Sequence, residues 1–199
     1  MKDYSEYSDS KLINLAVAKD ELAFKELVSR HRGWAFGFVI KNVGQKETAW
    51  DITQEAFVRV YKNLENFRHD ASFNTWFHRI LYNLCIDHWR KSGRKIKTEY
   101  QDELSWDKKR ISPTGDQRRE NPEKSTKRRE VLELLQQALE TLSAQHRNII
   151  ILREMEGMSY QKIAKITDCP KGTVMSRLHH ARKKIIEFMK KHGYSSSEI

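Results

Sequence analysis

The sequence predicts an all-α protein of two small helical domains joined by a flexible linker, and three observations predict it. Gly and Pro are scarce in the first ninety residues, and no segment sustains the apolar–polar alternation of a half-buried strand. From Ser92 to about Lys124 the character changes to SGRKIKTEYQDELSWDKKRISPTGDQRRENPEK, which is mostly charged, carries Pro113 and Pro122 and has no extended apolar period. Beyond it, the stretch GMSYQKIAKITDCPKGTVMSRLHHARKK at Gly157–Lys184 holds two short helical patterns joined by a tight break.

Ser8 or Asp9 caps a short helix that runs to about Ala18, and Asp20 caps a longer one from Glu21 to about Asn42. In the longer helix Phe24, Leu27, Val28, His31, Ala35 and Phe38 share one side, and Asn42-Val43-Gly44 ends the pattern. A third helix spans about Glu47–Asn66 and a fourth about Ser72–Lys91, with the loop Phe67-Arg68-His69-Asp70-Ala71 between them. Trp106 is the one large apolar residue of the linker and a candidate for docking on a domain or partner. Helical periodicity resumes at Lys127 with Val131, Leu134, Leu135, Ala138 and Leu142 on one face, and Ser143 caps a further helix leading to Gly157.

On the third helix, at 100° per residue, Asp51, Gln54, Glu55, Val58, Arg59 and Lys62 fall on one face. Ile52, Ala56, Phe57, Val60, Tyr61 and Leu64 fall on the other and are expected in the core. A solvated outer face is the ordinary outcome for an amphipathic helix. The apolar Val58 amid the polar stripe, and the compact acceptor cluster at 51, 54 and 55, equally suit an Arg-rich helical partner. The following segment, Phe67–Arg79, interleaves aromatic and basic residues, the combination that holds single-stranded nucleic acid through phosphate and base faces. Phe73, Phe77, Ile80, Leu81 and Leu84 are expected inside. Trp76, Arg79, Asn83, Asp87 and Arg90 form an outward stripe of residue types that read base edges or hold phosphates.

In the C-terminal pair of helices, Ser159 is placed to cap the first, Thr167-Asp168-Cys169 forms the break, and Pro170 suits the first turn of the second. Val174, Leu178, Ala181 and Ile185 make its buried stripe. Opposite lie Gly172, Ser176, His179 and Lys183, flanked by Met175 and His180, a small, polar and basic face suited to a DNA major groove. The pattern looks like a helix-turn-helix.

The net charge of +10 over 199 residues suits a polyanionic partner. No apolar run approaches a membrane span, and the polar N-terminus MKDYSEYSDSK is not a signal peptide. Cys85 and Cys169, the two cysteines, give neither a disulfide framework nor zinc spacing, and a reducing cytoplasm is the expected compartment. His69, Asp70, His78, Asp87 and His88 lack the i, i+4 histidine spacing of a helical metal site, and no nucleophile–base set is present. Neither a metal, a cofactor nor an enzymatic activity is expected.

DITQEAFVRVYKNLENF followed by FRHDASFNTWFHRILYNLCIDHWRK resembles the second region of bacterial extracytoplasmic-function (ECF) sigma factors, in the sigma-70 family, and ALETLSAQHRNIIILREMEGMSYQKIAKITDCPKGTVMSRLHHARKKI resembles their fourth. SDSKLINLAVAKDELAFKELVSRHR fits the family's opening. The resemblance implies a subunit of bacterial RNA polymerase that confers promoter recognition. It divides the chain into a four-helix region 2 domain at 1–91, a charged linker at 92–125 and a region 4 helix-turn-helix domain at 126–192. It assigns Asp51, Gln54, Glu55, Val58 and Arg59 to core polymerase. The minus-10 element of promoter DNA falls to Phe67, Arg68, Ser72, Trp76, Arg79, Asn83, Asp87 and Arg90. The minus-35 element falls to Lys171, Thr173, Met175, Ser176, Arg177, His179, His180 and Lys183. An anti-sigma factor that occludes the polymerase-binding faces is the further implied partner. Lys19 and His69 stand where the family often has Gly, and Met175, His179 and His180 where it often has Arg. A stand-alone helix-turn-helix regulator and a protein-binding adaptor are the alternatives. The first calls for a dimerisation surface or ligand pocket that the sequence does not display, and the second has no need of the aromatic-basic loop.

Overall fold

The computed structural model describes residues 3–67, 72–91 and 122–194, with 122–129 as backbone only. These residues form eight α-helices and no strand: α1 Asp9–Val17, α2 Glu21–Val43, α3 Lys46–Asn63, α4 Phe73–Lys91, α5 Pro122–Glu140, α6 Ala144–Ile150, α7 Tyr160–Thr167 and α8 Lys171–Lys191. The helix boundaries follow local chemistry. The Ser8 hydroxyl accepts from the Lys11 amide, and one Asp20 carboxylate oxygen accepts from the amides of Leu22 and Ala23, both at 3.1 Å. Gly44, at φ 78°, ends α2 by donating its N–H to the Ile40 carbonyl at 2.9 Å. Ser143 and Ser159 cap α6 and α7 as the sequence indicates.

Four boundaries or placements differ from the sequence reading. The third helix stops at Asn63 and tightens into a 3-10 turn at Leu64–Asn66. The helix after Ser143 likewise relaxes into a π turn at Ile151–Met155. α5 starts at Pro122, inside the stretch read as linker; proline is tolerated there because the first turn of a helix has no use for its missing N–H. Pro170 sits at the N-cap of α8, one residue ahead of the first turn. The expected docking of Trp106, and loop residues Arg68, His69, Asp70 and Ala71, lie outside the described residues.

In the N-terminal half, α1 to α4 enclose Leu12, Ile13, Leu27, Phe38, Phe77 and Leu81, all essentially inaccessible to solvent. α1 is tied to α2 by polar groups as well. His31 Nδ1 accepts from the Trp34 indole at 2.9 Å, so its Nε2 carries the proton and donates to Asp9 at 2.8 Å. Arg30 meanwhile donates to the carbonyls of Tyr4 and Ser5 at 2.8 and 2.6 Å. In the C-terminal half, Ile149, Ile151, Leu152, Ile163, Ile166, Val174, Leu178 and Ala181 are buried, while Ile185 is only half-buried. Tyr61, expected in the core, is 47% exposed, its ring set edge-on against Phe24. One contiguous apolar cluster runs through both halves, because α6 and α7 pack directly on α4.

Between α1 and α2, Lys19 adopts φ 68°, a left-handed conformation that a Cβ disfavours by about 1 kcal/mol. Its ammonium reaches Glu65 at 2.8 Å, but both side chains are largely exposed, so this pair offsets little of the strain. Lys19→Gly is expected to raise the urea midpoint, by up to about 1 kcal/mol in unfolding free energy. Lys19→Val, β-branched at the same φ, is expected to lower it; equal midpoints for the two variants would contradict the strain argument.

Candidate functional site

α4 carries three faces. Phe73, Phe77, Leu81 and Leu84 point into the N-terminal core. His78, Tyr82, Cys85 and Trp89, at steps of four, three and four, lie beneath the C-terminal half. The third face turns Arg79, Asn83, Asp87 and Arg90 toward solvent and also carries Trp76 and Ile80, both half-buried, where Ile80 was expected inside. The sequence reading found the first and third faces and missed the second. Its signal was the 78–82–85–89 stripe, which has helical spacing but mixed polarity.

On the third face, Asn83 and Arg90 are exposed and Asp87 is half-buried, paired with Arg90 at 3.6 Å. Trp76 does not stand outward as expected. It is half-buried, with its ring 5.1 Å from Phe67 and 6.0 Å from Phe73, so one side of the indole belongs to the aromatic cluster that closes the end of α4. Ser72 opens the helix, its hydroxyl 2.9 Å from that of Thr75. Arg79 is already engaged by Asp168 of the α7–α8 turn at 3.2 Å.

Between α3 and α4 lies a cleft of about 220 Å³ lined by Arg59, Asn63, Asn66, Trp76, Ile80 and Asn83. Three carboxamides, a guanidinium and an indole thus meet in one concavity. Asn63 is partly committed, donating to the Arg59 carbonyl at 2.8 Å. The sequence reading missed Asn63 and Asn66, because a cleft shared by two helices and a 3-10 turn leaves no period in either one. It also put Arg59 with the acidic stripe. In the structure Arg59 sits at the border, paired with Glu55 at 2.7 Å and lining the cleft. Asp51, Gln54 and Glu55 are exposed and Val58 is 51% exposed. Tyr61 continues that stripe one turn on.

In the helix-turn-helix, Asp168 takes the left-handed conformation (φ 51°) that turns the chain between α7 and α8, and its amide follows the capped end of α7. Lys171, Met175, Ser176, His179, His180 and Lys183 of α8 are exposed, and Thr173 is half-buried. Arg177 departs from them. It is half-buried and turned back toward Cys169, its guanidinium 3.9 Å from the sulfur. Among the described residues no group of His, Cys, Asp and Glu is arranged to hold a metal ion, and no helix is long and apolar enough to cross a membrane.

Two domain models match this chain in the order of its two halves: sigma-70 region 2 over residues 27–95 and sigma-70 region 4 over residues 132–185. The RNA polymerase sigma-H factor of Pseudomonas aeruginosa is 34% identical over 180 residues, covering 89% of this chain and 91% of that protein. The ECF RNA polymerase sigma-E factor of Escherichia coli K12 is 33% identical over 180 residues, covering 89% and 92%. The chain belongs to the ECF sigma factors of the sigma-70 family. Its structure is similar to that of the sigma factor RpoE from Bartonella quintana, solved with the anti-sigma factor NepR, at a TM-score of 0.61 and 25% identity over 84% of this chain and 96% of that one. CnrH, solved with the cytosolic domain of CnrY, shares the fold at a TM-score of 0.63 and 23% identity, over 92% and 97%. As a sigma factor, the protein directs promoter-specific initiation by RNA polymerase; the family is not known for enzymatic activity.

Burial gives this sigma factor a pH dependence. His78 is stacked on Trp34 at 4.4 Å and set edge-on to Phe38, and its Nδ1 donates to the Asn74 carbonyl at 2.6 Å. Its Nε2 is buried without a hydrogen bond. Burial lowers the His78 pKa below the ordinary 6.5, opposed by the Asn74 carbonyl and Glu156 and assisted by Lys162. Burial lowers that of His146 as well, helped by Lys184, Arg177 and His180. The unfolded chain takes up these protons below about pH 6.5 while the folded chain resists them. Stability is therefore full above that pH and falls as pH drops below it. Urea unfolding between pH 8 and pH 5.5 is expected to show that slope, and His78→Phe, which keeps the stacking, is expected to flatten part of it. An unchanged slope in the variant would remove His78 as a source.

Proposed function

We propose that the N-terminal half of this sigma factor (1–91) binds core RNA polymerase and opens the minus-10 element, that residues 92–125 span the promoter, and that 126–192 reads the minus-35 element. The observation that supports this best is the pair of unlike surfaces flanking α3. On one side, Asp51, Gln54, Glu55 and Val58 form an exposed acidic, amide and apolar stripe that Tyr61 extends. A basic helical element of polymerase fits it, with carboxylates meeting cations and Val58 and Tyr61 supplying apolar contact. On the other side, the α3–α4 cleft offers Trp76 as a flat surface and Asn63, Asn66 and Asn83 as amide donors and acceptors. An unstacked promoter base has both needs, a ring to lie on and partners for its edge. Phe67 and Ser72 bound the loop beside it, Arg68 joins them by sequence, and Arg79, Asp87 and Arg90 make the flank that meets the phosphate backbone.

In the C-terminal half, Met175, Ser176, His179 and His180 are the residues of α8 placed to reach base edges. Lys171, Thr173 and Lys183 meet phosphates, with the free amides at the helix N-terminus assisting. Arg177 belongs to this set only after its side chain turns outward from Cys169. A similar sigma factor has been solved with an anti-sigma factor, and we extend that partner to this chain, with the Asp51–Val58 stripe as the surface to occlude. The site of action is the cytoplasm, where polymerase and promoter lie, and the reading needs no cofactor, metal or enzymatic step.

Asp51→Arg combined with Glu55→Arg reverses the stripe on exposed positions, so the helical circular dichroism should persist while capture by core polymerase is lost. A folded double mutant that still binds would overturn this assignment. Asn83→Ala should relax preference at minus-10 and leave minus-35 untouched, and Ser176→Ala the reverse, each at about 1–3 kcal/mol if a base contact is lost. Selection of active promoters from libraries randomised at one element or the other separates the two, and a change at the wrong element would show the mapping to be mistaken.

A further inference from the structure

α8 turns an uneven set of side chains outward. Val174, Leu178 and Ala181 are buried, while Lys171, Gly172, Met175, Ser176, His179 and His180 are exposed. Five of those six are cationic, polar, titratable or without a side chain. Met175 is the exception, a long apolar chain left 50% exposed in the second turn of the helix. At 100° per residue, Lys171, Gly172 and His179 lie within about 60° of it. A helical side chain leans over the turn before its own, so the thioether extends above Lys171 and Gly172. A Cβ added at Gly172 meets nothing within 4 Å, so the space beside that turn is open.

The chemistry of the major groove decides what such a side chain can meet. There G offers N7 and O6, C its N4 amino group and A N7 and N6, all polar, while T carries O4 and a C5 methyl group. A thioether returns at most a weak hydrogen bond. Set over G, C or A, it takes water from polar edges and leaves them unsatisfied. Over the C5 methyl of thymine, apolar surface meets apolar surface, and the N-terminal turns of a recognition helix are the part that meets base edges. We propose that Met175 is a specificity-determining residue that selects a thymine in the minus-35 element by contact with its C5 methyl group. The inference rests on the reading of α8 given above and adds to it the base that this one position takes. Ser176, His179 and His180 carry the hydrogen-bonding part of recognition, and Met175 reads the methyl alone.

The methyl can be removed without altering the hydrogen-bonding pattern, because deoxyuridine pairs with adenine as thymidine does. Promoters are first selected with the holoenzyme, formed from the full chain and core polymerase, from a library randomised at minus-35. A thymine preference is expected at one position. Met175→Ala, a change at an exposed site, is expected to lose that preference at an unchanged urea midpoint. Deoxyuridine at that position should weaken binding by the wild-type holoenzyme about four-fold, the effect of one buried methyl group. The Met175→Ala holoenzyme should be indifferent to the same exchange. A C·G pair in place of the T·A pair should bind weakly, and 5-methyldeoxycytidine there should recover part of the loss by returning the methyl alone.

A selected minus-35 element without thymine, a deoxyuridine promoter bound as well as the thymidine one, or a deoxyuridine loss equal in wild type and Met175→Ala would each overturn the methyl contact. Ser176→Ala keeps this inference apart from the reading it rests on. If Ser176→Ala shifts preference at minus-35 while deoxyuridine has no effect, α8 reads the element and the Met175 inference alone falls. If neither Ser176→Ala nor Met175→Ala moves preference at minus-35, the assignment of α8 fails and the inference with it.

Discussion

One buried guanidinium holds the architecture at its most crowded point. Two helices, α2 and α5, end near each other, and each leaves carbonyls that its own backbone cannot satisfy. Arg147 meets the end of α5 through the Leu139, Glu140 and Leu142 carbonyls and the end of α2 through Asn42. Its planar face lies on Trp89 of α4. Burying a cation is unfavourable unless its donors are filled, and hydrogen bonds to a charged group contribute about 1.5–3 kcal/mol each. Arginine suits the position because five donors radiate in one plane; lysine, with three donors at a point, cannot address carbonyls on two helices and still stack on a ring. The orientation of α6, and with it that of α7 and α8, follows from where this fork is seated.

From there α4 becomes the shared wall of the molecule. Its core face completes the N-terminal half through Phe73, Phe77 and Leu81, and its second face receives the C-terminal half. What remains uncovered is a strip about one residue wide on each turn, from Trp76 through Arg79 and Asn83 to Asp87 and Arg90, the strip we propose for DNA. The narrowness of that strip explains why the cleft must borrow Arg59, Asn63 and Asn66 from α3 and its 3-10 turn. A base-reading surface with no neighbour to lean on would have only side chains free to collapse; here Phe67 and Phe73 hold one side of the Trp76 ring in place.

What the sequence made legible follows from how local each signal is. The caps at Ser8, Asp20, Ser143 and Ser159 and the stop at Gly44 are each decided within four residues, and all five act as read. The buried stripe of α8 needs only the helical period, and Val174, Leu178 and Ala181 follow it. Tyr61 defeats the same method, because an amphipathic helix packed on α2 has a boundary zone where a ring lies edge-on to Phe24 and still meets water. Arg59 and Trp76 sit in equivalent boundary zones. The second face of α4 was beyond reach for a different reason: Tyr82 and Cys85 are buried and Trp89 is half-covered where α6 and α7 pack on α4, more than fifty residues on in sequence, and no local window contains that contact.

The charge distribution joins these points. A chain with net charge +10 has cations in excess, yet three cations on the proposed DNA surfaces already face acids: Arg79 with Asp168, Arg90 with Asp87 and Lys183 with Glu187. Exposed pairs of this kind contribute less than about 1 kcal/mol each, so a phosphate can displace the carboxylate without a large penalty. Two of these pairs lie within one helix, and exchanging their acid for phosphate changes nothing beyond that turn. Arg79 and Asp168 are different, because their pair joins the two halves. A phosphate taking Asp168's place on Arg79 would therefore remove a contact between α4 and the α7–α8 turn. If the proposed flank takes phosphate at Arg79, the cost of the exchange is limited to this one exposed pair.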